Sequence, residues 1–572
     1  MTDIEIPYGK DRSKRYRFFE ILPGTLSWSM LALPIVLSLI DVTIAAIFVL
    51  IYLLINFTRA MAGAARSMQG YREMQLHQKL DWPSMLQELE DGSVHDFKAE
   101  RPKWHYAILK RLREQRAEKP AERKQAIAEL AAAGDAVDVN IEDEAFRNTM
   151  HDIQIKPDEV VHAIIVATYK ESREVLEPTI QSVLDSAFDM KKVIFVLAYE
   201  ERGGKEPEDR AKQLVKEFGG NFMHAMAVKH PKDIEGEIVG KGGNITYAAR
   251  KLQQYLEKEQ IDPTRVLVTT LDADNHPHKM YLAALTYTYS VCPDPVHASF
   301  QPVSLYTNNI WDAPAPMRVI ATSSSFFNTV ISLRQHALRN FSSHAQPMAA
   351  LIETDFWSVR TIVEDGHQFW RSYFAFDGNY RVYPLFVPMY QDAVLSDGYV
   401  RTLKAQFVQL RRWTYGASDI AYVVNQGFFK KNKVPRLDLI AKIWRLLEGH
   451  VTWAAGPILV LAGGFIPAFF HPQSFAANEL PLIVSNVQKV AMLGLFVMMF
   501  FSILTLPPRP KHYKWYRSLF MLLQWIYLPI TTIIYNSFAA FYSQTRLMFG
   551  KYMDKFDVTE KAVVTKEKKT VV

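Results

Sequence analysis

Three short apolar runs decide the fold of this chain: VVHAIIVATY (160–169), KKVIFVLAYE (191–200) and RVLVTTLDAD (265–274). Each run is rich in β-branched residues, has the length of a strand, and is separated from the next by a stretch with helical character. Strands that alternate with helices in this way predict an α/β domain with a mostly parallel sheet. Such domains bind ligands at the carboxyl ends of their strands, so the residues that end each run are the first candidates for a site.

The third run ends in two carboxylates, Asp272 and Asp274, which are two residues apart. Divalent cations such as Mg²⁺ and Mn²⁺ prefer oxygen ligands and bind through one or two protein carboxylates together with substrate phosphates. The pair therefore indicates a clamp for a metal ion and a diphosphate. An Asp-rich turn after a buried strand is the alternative that this short pattern alone leaves open.

A second acidic pair, Glu364 and Asp365, lies further along the chain in VED (363–365). A carboxylate beside a bound substrate can remove a proton as a general base, and Asp365 is the candidate for that role. The alternative is a helix N-cap, a position at which Asp is common.

The segment 403–424 has the pattern of an amphipathic helix and contains QLRRW (409–413). Arg412 can pair with a phosphate group, and Trp413 offers a flat apolar face to a sugar ring. Trp413 as an anchor at a membrane interface is the alternative.

Long apolar segments lie on both sides of these motifs. Residues 22–57 are too many for one ordinary membrane span of about 20 residues, and basic residues flank them on both sides. The positive-inside rule then predicts a hairpin that turns near Asp41, with a single long tilted helix as the alternative. The run lacks a small-residue cleavage site, which predicts that it is retained as an anchor.

After the motif region, residues 450–470 and 485–506 each have spanning length. The connector between them (471–481) has no Lys or Arg, whereas 509–517 is rich in both. The connector is therefore expected outside and the basic stretch inside. The next apolar segment, 518–549, is predicted to bend at Pro529 and to lie along the cytosolic interface, or to dip into the membrane and return.

The composition limits the class of protein. The chain has 572 residues, more than one typical domain, so a soluble domain and a membrane part are both expected. Its net charge is +6, with Lys and Arg spread among nearly as many acids, which gives no case for nucleic-acid binding. The single cysteine, Cys292, excludes an internal disulfide and a Cys-based metal site. The charged stretch 107–136 predicts a solvated helical linker.

The order of ATYKE (167–171), KGGN (241–244), LDAD (271–274), VED and QLRRW resembles the glycosyltransferase family 2 enzymes of the cellulose, chitin and hyaluronan synthase group. The resemblance covers roughly residues 155–415. FDVTEK (556–561) is similar to the FxVTxK gating loop of bacterial cellulose synthase, and it has the same place in the chain, beyond QxxRW and two apolar spans.

This resemblance implies an inverting, metal-dependent glycosyltransferase that uses a nucleotide sugar, with UDP-hexose as the expected donor, to extend a polysaccharide. It implies catalysis by Asp365 with Glu364, a bound Mg²⁺ or Mn²⁺ at Asp274 and Asp272, and a glycan or lipid-linked acceptor at Gln409 and Trp413. The residues implied for the donor are Thr168, Tyr169, Glu171, Glu200, Lys241, Asp272, Arg412, Thr559 and Lys561.

The resemblance also implies an architecture, a GT-A-like α/β domain inserted between N- and C-terminal transmembrane helices. The protein would be integral to the cytoplasmic membrane, in contact with membrane lipid, with its catalytic domain in the cytosol. The expected divisions are a transmembrane hairpin (1–60), a charged helical linker (61–150), the catalytic domain (151–400), interfacial helices with QxxRW (401–449), a C-terminal membrane region (450–549) and the gating-like motif with its tail (550–572).

Three departures from the family pattern leave questions open. YEERGG (199–204) stands where cellulose synthase has a DDG motif that contacts uridine, Val363 replaces the threonine of TED, and 351–360 does not match its FFCG-like stretch. Acceptor identity and processivity therefore stay open. A single-transfer enzyme acting on a lipid-linked acceptor is one alternative. A non-catalytic membrane transporter or scaffold is another, although the intact carboxylates argue against it.

Overall fold

The computed structural model describes residues 4–91 and 155–554. Its central domain contains one eight-stranded sheet with the order β3-β2-β1-β4-β7-β6-β8-β5. The strands are β1 Val161–Thr168, β2 Val193–Glu200, β3 His224–His230, β4 Val266–Asp272, β5 His276–Pro277, β6 Ala298–Tyr306, β7 Ala345–Pro347 and β8 Arg381–Gln391.

Eighteen α-helices are assigned within the described ranges. They are α1 Lys14–Ile40, α2 Val42–Lys79, α3 Trp82–Asp91, α4 Arg173–Leu184, α5 Lys205–Phe218, α6 Lys241–Lys258, α7 Tyr281–Ser290, α8 Ala315–Ser332, α9 Met348–Glu353, α10 Glu364–Ala375, α11 Tyr399–Thr414, α12 Asp419–Val424, α13 Arg436–Ala462, α14 Phe465–Phe470, α15 Phe475–Thr505, α16 Tyr516–Leu523, α17 Leu528–Thr531 and α18 Phe538–Met548.

The predicted α/β class is confirmed, and the sheet is mostly parallel as predicted, with three short antiparallel pairings. Strands β1 to β4 pair in parallel, as do β6 and β8. The short strand β7 joins these two blocks because it runs antiparallel to both β4 and β6. A three-residue strand such as β7 gives too little period-2 pattern to be found from the sequence.

Both faces of the sheet are buried, which explains why its strands are apolar without alternation. Along β2, Phe195 belongs to the core on one face and Ile194 to the core on the other. The first core also contains Trp82 of α3, which is fully buried and lies edge-on to Tyr287 at 5.6 Å. Part of the stretch expected to be a solvated linker is therefore packed on the domain, whereas 107–136 lies outside the described residues.

Within the described ranges, four helices are long and apolar enough to cross a membrane. They are Lys14–Ile40, Val42–Lys79, Phe475–Thr505 and Tyr516–Met548, the last counted as one helical segment that includes α16 to α18. The first two are separated only by Asp41, whose carboxylate caps α2 by accepting from Thr43 N (2.7 Å) and Ile44 N (3.1 Å). The chain therefore breaks at the residue where the hairpin turn is predicted.

Residues 450–470 differ from the span predicted there. Helix α13 begins earlier, at Arg436, and ends at Ala462 before the short α14, and it is not among the four candidates. The reason is the polar first half of α13, which contains the ion pair between Lys442 and Asp438 (2.6 Å). Because the first half of this helix contains charged residues, the helix lacks the continuous apolar length that a membrane span requires.

The segment Tyr516–Met548 contacts the central domain at several points along its length. Arg318 of α8 donates to Gln524 (2.5 Å), and the hydroxyl of Thr414 donates to Ala539 O (3.1 Å). The segment is irregular, with a 3₁₀ turn from Gln524 to Tyr527 and a π turn from Thr532 to Ser537. The two irregular turns lie on either side of Pro529, where the sequence predicts a bend.

We expect three reporter fusions to test the membrane arrangement. His471 contacts Ser38 O at 2.5 Å, so the connector at 471–474 lies beside the turn at Asp41. Reporters at the amino terminus and after Lys511 are predicted to be cytosolic, whereas one at 471–474 is predicted to be external. Protease accessibility in sealed cells measures each location, and an external amino terminus would exclude the hairpin.

Candidate active site

The predicted motifs meet at one edge of the sheet. In the parallel register, Thr168 at the end of β1 pairs with Tyr199 of β2, and Ala167 pairs with Asp272 of β4. The ATYKE, YEER and LDAD segments thus leave neighbouring strands side by side, which is the position expected of a ligand site in an α/β domain.

Glu171 stabilises the loop after β1. Its Oε2 accepts hydrogen bonds from Thr168 Oγ1 (2.8 Å), Tyr169 N (2.7 Å) and Lys170 N (3.1 Å). Three donors to one oxygen hold this loop in shape. Thr168 and Glu171 therefore act here as supports for the loop that carries Tyr169.

Glu200 is engaged by a neighbouring cation. It is buried, and its Oε1 accepts from Arg202 Nη2 at 2.8 Å, while the same guanidinium lies 4.8 Å from the centre of the Tyr169 ring. Direct recognition of a nucleobase by Glu200 would require the ion pair between Glu200 and Arg202 to open. A nucleobase that stacks on Tyr169 and Arg202 would need no such rearrangement.

The KGGN motif forms the start of α6, and its glycines allow close packing there. A Cβ on Gly242 would lie 2.5 Å from Ser358 O, and one on Gly243 would lie 2.6 Å from Glu237 Oε2. Asn244 is buried and donates to Ala198 O at 2.9 Å, so it ties α6 to β2. Lys241 is the member of the motif whose charged group enters the site.

Lys241 joins the two acidic motifs. Its Nζ lies 2.9 Å from Asp272 Oδ1 and 3.3 Å from Asp365 Oδ2, and the side chain is buried. Burial alone would lower the pKa of Lys241, but the charges of Asp272, then of Asp365 and Glu364, raise it well above its ordinary value. The ammonium ion is therefore present at all physiological pH values.

The two LDAD carboxylates have different surroundings. Both oxygens of Asp272 are engaged, Oδ1 by Lys241 and Oδ2 by the hydroxyl of Ser342 (2.7 Å). Asp274 Oδ2 accepts from Asp392 N (3.2 Å), and its carbonyl oxygen accepts from Asn308 (2.9 Å). The site is thus more than an Asp-rich turn, because side chains from three other parts of the chain converge on it.

These residues fit a divalent cation of the Mg²⁺ type. Within residues 4–91 and 155–554, no group of three or more His, Cys, Asp or Glu side chains has a metal-binding arrangement. Mg²⁺ and Mn²⁺ take only one or two carboxylates when phosphates complete their coordination, so an oxygen donor set of this size suits them. Asp274 is the better candidate ligand, since Asp272 already pairs with Lys241.

Asp365 is not a helix N-cap. Helix α10 begins at Glu364, the cap residue is Val363, and no side chain caps the helix. Asp365 instead occupies the first turn, where the helix dipole favours a negative charge. Its carboxylate faces Lys241 on one side and His344 on the other, where Nδ1 lies 3.7 Å from Oδ1.

The other acidic residue of the motif, Glu364, is buried and has a raised pKa. Burial, and next the charge of Asp365, raise the pKa of Glu364 against the opposing charge of Lys241, to about 8 in all. Glu364 is therefore neutral at pH 7 and is a poor general base there. Of the two predicted carboxylates, only Asp365 suits proton abstraction.

We expect Glu364→Gln to retain activity and to remove one pH dependence of stability. The raised pKa means that the folded state holds a proton which the unfolded state has lost, so stability should fall as pH rises from about 4.5 toward 8. The neutral amide should change kcat by less than about tenfold. Thermal unfolding of both proteins across this pH range measures the difference, and a parallel decline in the variant would contradict the assignment.

Trp413 packs on the central domain. Its ring centre lies 6.1 Å from that of Tyr306, at the end of β6. Burial raises the pKa of Tyr306, and the charges of Asp272 and Asp274 raise it further, so this tyrosine is close to both carboxylates. Trp413 also packs against the cluster that contains Met521 and Tyr535 of the apolar segment Tyr516–Met548, so its packing is compatible with both the sugar-binding role and the interfacial anchor.

The end of α11, just after QLRRW, packs on the C-terminal helix α18. Helix α11 ends at Thr414 rather than continuing to 424. Gln409 accepts from Gln406 (3.1 Å), and Arg412 is buried. The hydroxyl of Thr414 also lies 3.1 Å from that of Ser543 in α18.

The carboxyl-terminal segment reaches the same region. Tyr415 accepts from Met553 N at 3.3 Å, and Met553 packs in one cluster with Ile362 and Val363, the residues just before Glu364. Tyr552 is held by Arg17 (3.0 Å) and donates to Glu20 (3.1 Å). The chain thus reaches Asp554 beside the VED motif, and FDVTEK, with Thr559 and Lys561, lies outside the described residues.

Sequence reasoning missed four side chains of this site: Tyr306, Ser342, His344 and Asn308. Only one of the segments that carry them gave a signal. Tyr306 ends an apolar strand and is followed by the polar TNN (307–309), the same pattern that marked LDAD. The other segment, SSH (342–344), precedes a strand too short to detect.

No family model matches this chain, and no curated protein matches it significantly. Among solved structures, the mannosyltransferase PcManGT from Pyrobaculum calidifontis in complex with GDP-Man and Mn²⁺ has a TM-score of 0.39 and 15% identity, over 62% of this chain and 88% of its own. TarS 1–349 of S. aureus in complex with UDP-GlcNAc has a TM-score of 0.34 and 12% identity, over 69% of this chain and 93% of its own. These scores are too low to establish a common fold, so the α/β class rests on the sheet itself.

Proposed function

We propose that this protein is an inverting, metal-dependent glycosyltransferase of the membrane-embedded family 2 group. It would take the hexose of a nucleotide sugar, with UDP-hexose as the expected donor, to extend a polysaccharide at the cytosolic face of the cytoplasmic membrane. The observation that carries the proposal is Lys241, which links the carboxylate pair expected at the donor diphosphate to the carboxylate expected to serve as base.

Inversion at the anomeric carbon requires the base and the leaving diphosphate on opposite faces of the sugar. Asp365 would accept the proton of the acceptor hydroxyl while the oxygen of that hydroxyl forms a bond to the anomeric carbon. The bond from that carbon to the diphosphate breaks, and the leaving oxygen gains charge beside Lys241, which compensates part of it. A bound Mg²⁺ or Mn²⁺, held by Asp274 with Asp272, would supply further charge stabilisation to the diphosphate.

Trp413 and Tyr306 would form the acceptor side of the site. Aromatic faces stack on sugar rings, and these two rings lie beside the acidic cluster. Gln409 and Arg412 lie on the same helix as Trp413. Gln409 would contact the acceptor, and Arg412 would contact the diphosphate.

The placement along the membrane is part of the proposal. Segment Tyr516–Met548 has spanning length, yet its contacts with α8 and α11 recur along it. We infer that it lies along the cytosolic interface, which keeps the segment beyond Met553 on the side of the catalytic domain.

The test is nucleotide release by purified protein with a panel of nucleotide sugars, with Mn²⁺, Mg²⁺ or a chelator. Release with one donor, lost on chelation, is expected. No release with any donor in the presence of metal would favour the transporter or scaffold alternative. Product length on a gel distinguishes polymer extension from a single transfer to a lipid-linked acceptor.

The tail gives a further expected result. Deletion of 556–561, or Thr559→Ala, should reduce turnover strongly if this segment closes over the bound diphosphate and excludes water. Deletion of 563–572 is the matched control and should have little effect. Normal turnover in the 556–561 deletion would contradict the gating role.

A further inference from the structure

A buried arginine at the start of α8 has only neutral hydrogen-bond partners. Arg318 is 6% exposed, and its guanidinium donates to Gln524 Oε1 (2.5 Å) and to Ala313 O (2.7 Å). Its third nitrogen, Nη2, makes no hydrogen bond within residues 4–91 and 155–554. A buried charge without an opposite charge costs free energy. The guanidinium therefore has both an N–H group and a charge available for an anion.

Two more features of this position disfavour a positive charge. Arg318 lies in the first turn of α8, where the helix dipole is unfavourable for a cation, and no side chain caps that helix end. Burial, and next the charge of Arg517, lower the pKa of Arg318 to about 10, against the opposing effect of Tyr513. Both guanidinium groups are charged at pH 7. An anion bound here would be attracted by the two arginines and by the helix end.

The two arginines are brought together by contacts between the central domain and the basic stretch that follows α15. Trp311 Nε1 donates to Pro507 O (3.0 Å), and the hydroxyl of Tyr513 donates to the carboxylate of Asp312. The guanidinium of Arg517 lies 4.5 Å from the centre of the Tyr513 ring. Asp312 is thus engaged by the tyrosine, and in the part of the chain that the structure describes neither arginine forms an ion pair.

Large apolar side chains beside this site are exposed. The candidate span α15 ends at Thr505, and the basic stretch after it leads directly into α16. Trp515, Leu519 and Phe520 are each at least half exposed. A phospholipid offers a phosphate to the arginines and acyl chains to this apolar surface, whereas a soluble phosphate offers only the first. The combination of charge and apolar surface therefore favours a lipid.

We propose that Arg318 and Arg517 bind the headgroup phosphate of an anionic phospholipid in the cytosolic leaflet. The planar guanidinium pairs well with phosphate oxygens, and the cytosolic leaflet is rich in anionic lipid. The acyl chains would lie on the apolar surface of α16, so the lipid would hold the central domain against the membrane. The inference rests on the proposed position at the cytosolic interface and is independent of sugar transfer.

Thermal unfolding of the purified full chain in detergent micelles tests the proposal. Phosphatidylglycerol is the probe, phosphatidylcholine with the same acyl chains is the zwitterionic control, and inorganic phosphate represents a soluble ligand. Phosphatidylglycerol should raise the Tm by about 2–6 °C, because a ligand that binds only the folded state stabilises it. Phosphatidylcholine and inorganic phosphate should each give a much smaller rise.

Three variants locate the effect. Arg517→Gln should lose most of the rise with phosphatidylglycerol and keep the wild-type Tm without lipid, because this side chain is partly exposed and packs on Tyr513. Arg318→Gln removes the buried charge and keeps an amide donor, so it should lose the rise as well. Arg59→Gln is the matched control, since Arg59 is a half-exposed arginine of α2 that pairs with Glu448. This variant should keep the full rise.

Several results would overturn the proposal. The first is the absence of a rise with phosphatidylglycerol in the wild type, or an undiminished rise in folded Arg517→Gln and Arg318→Gln. Another is an equal loss in Arg59→Gln, which would assign the effect to the overall basic charge. A rise with inorganic phosphate as large as that with phosphatidylglycerol would assign the arginines to a soluble ligand. Failure of the proposed function is separate, since it would appear as no nucleotide release by a wild-type protein that still responds to phosphatidylglycerol.

Discussion

Asp365→Asn is expected to reduce transfer by about 100-fold to 10,000-fold, the usual contribution of a general base. The amide has the same shape as the carboxylate but cannot take the proton of the acceptor hydroxyl. Lys241 keeps its 2.9 Å contact with Asp272 in this variant, so the proposed donor side of the site should stay intact. Metal-dependent nucleotide binding is therefore expected to be close to that of the wild type.

The matched control is Asp274→Ala. This change should weaken metal-dependent nucleotide binding, because Asp272 is paired with Lys241 and Asp274 is therefore the better candidate for the metal. Titration with the nucleoside diphosphate, with and without Mn²⁺, measures both variants. If Asp365→Asn lost binding as completely as Asp274→Ala, Asp365 would belong to the donor site and the division of roles would be wrong.

The parts of the fold that could be predicted are those with a local signal. The runs that end at Thr168, Glu200 and Asp272 are apolar because both faces of the sheet are covered. Each run can therefore be recognised as a strand from its own sequence. The break at Asp41 was also predictable, since a carboxylate in a long apolar run is costly unless it caps a helix or meets water. In each case the deciding interaction lies within a few residues of the sequence signal.

The parts that could not be predicted depend on contacts between distant segments. Lys241 is 124 residues from Asp365, and nothing in KGGN indicates which carboxylates its ammonium group will meet. Glu364 and Asp365 are adjacent and chemically alike, yet Glu364 is buried, whereas Asp365 is partly exposed and faces Lys241. Only the fold shows that burial raises the pKa of Glu364.

The second large expected effect concerns Lys241. Lys241→Met removes the buried cation that pairs with Asp272 and Asp365, and leaves these two partly exposed carboxylates uncompensated beside each other. Removing the buried partner of these ion pairs should cost up to about 3–5 kcal/mol, which corresponds to a fall in Tm of up to roughly 6–20 °C for a domain of this size. The loss of charge beside the leaving diphosphate should also lower kcat by about 100-fold to 1,000-fold.

The structure offers a surface lysine for comparison. Lys212 pairs with Glu208, but more than half of its side chain is exposed, so Lys212→Met should change the Tm little and leave kcat unchanged. Combining Lys241→Met with Asp365→Asn should restore part of the lost stability without restoring activity, because one uncompensated charge is removed together with the base. Thermal unfolding and nucleotide release of the full chain measure both quantities. A Lys241→Met protein as stable and active as Lys212→Met would mean that the ion pairs with Asp272 and Asp365 do not hold the site together.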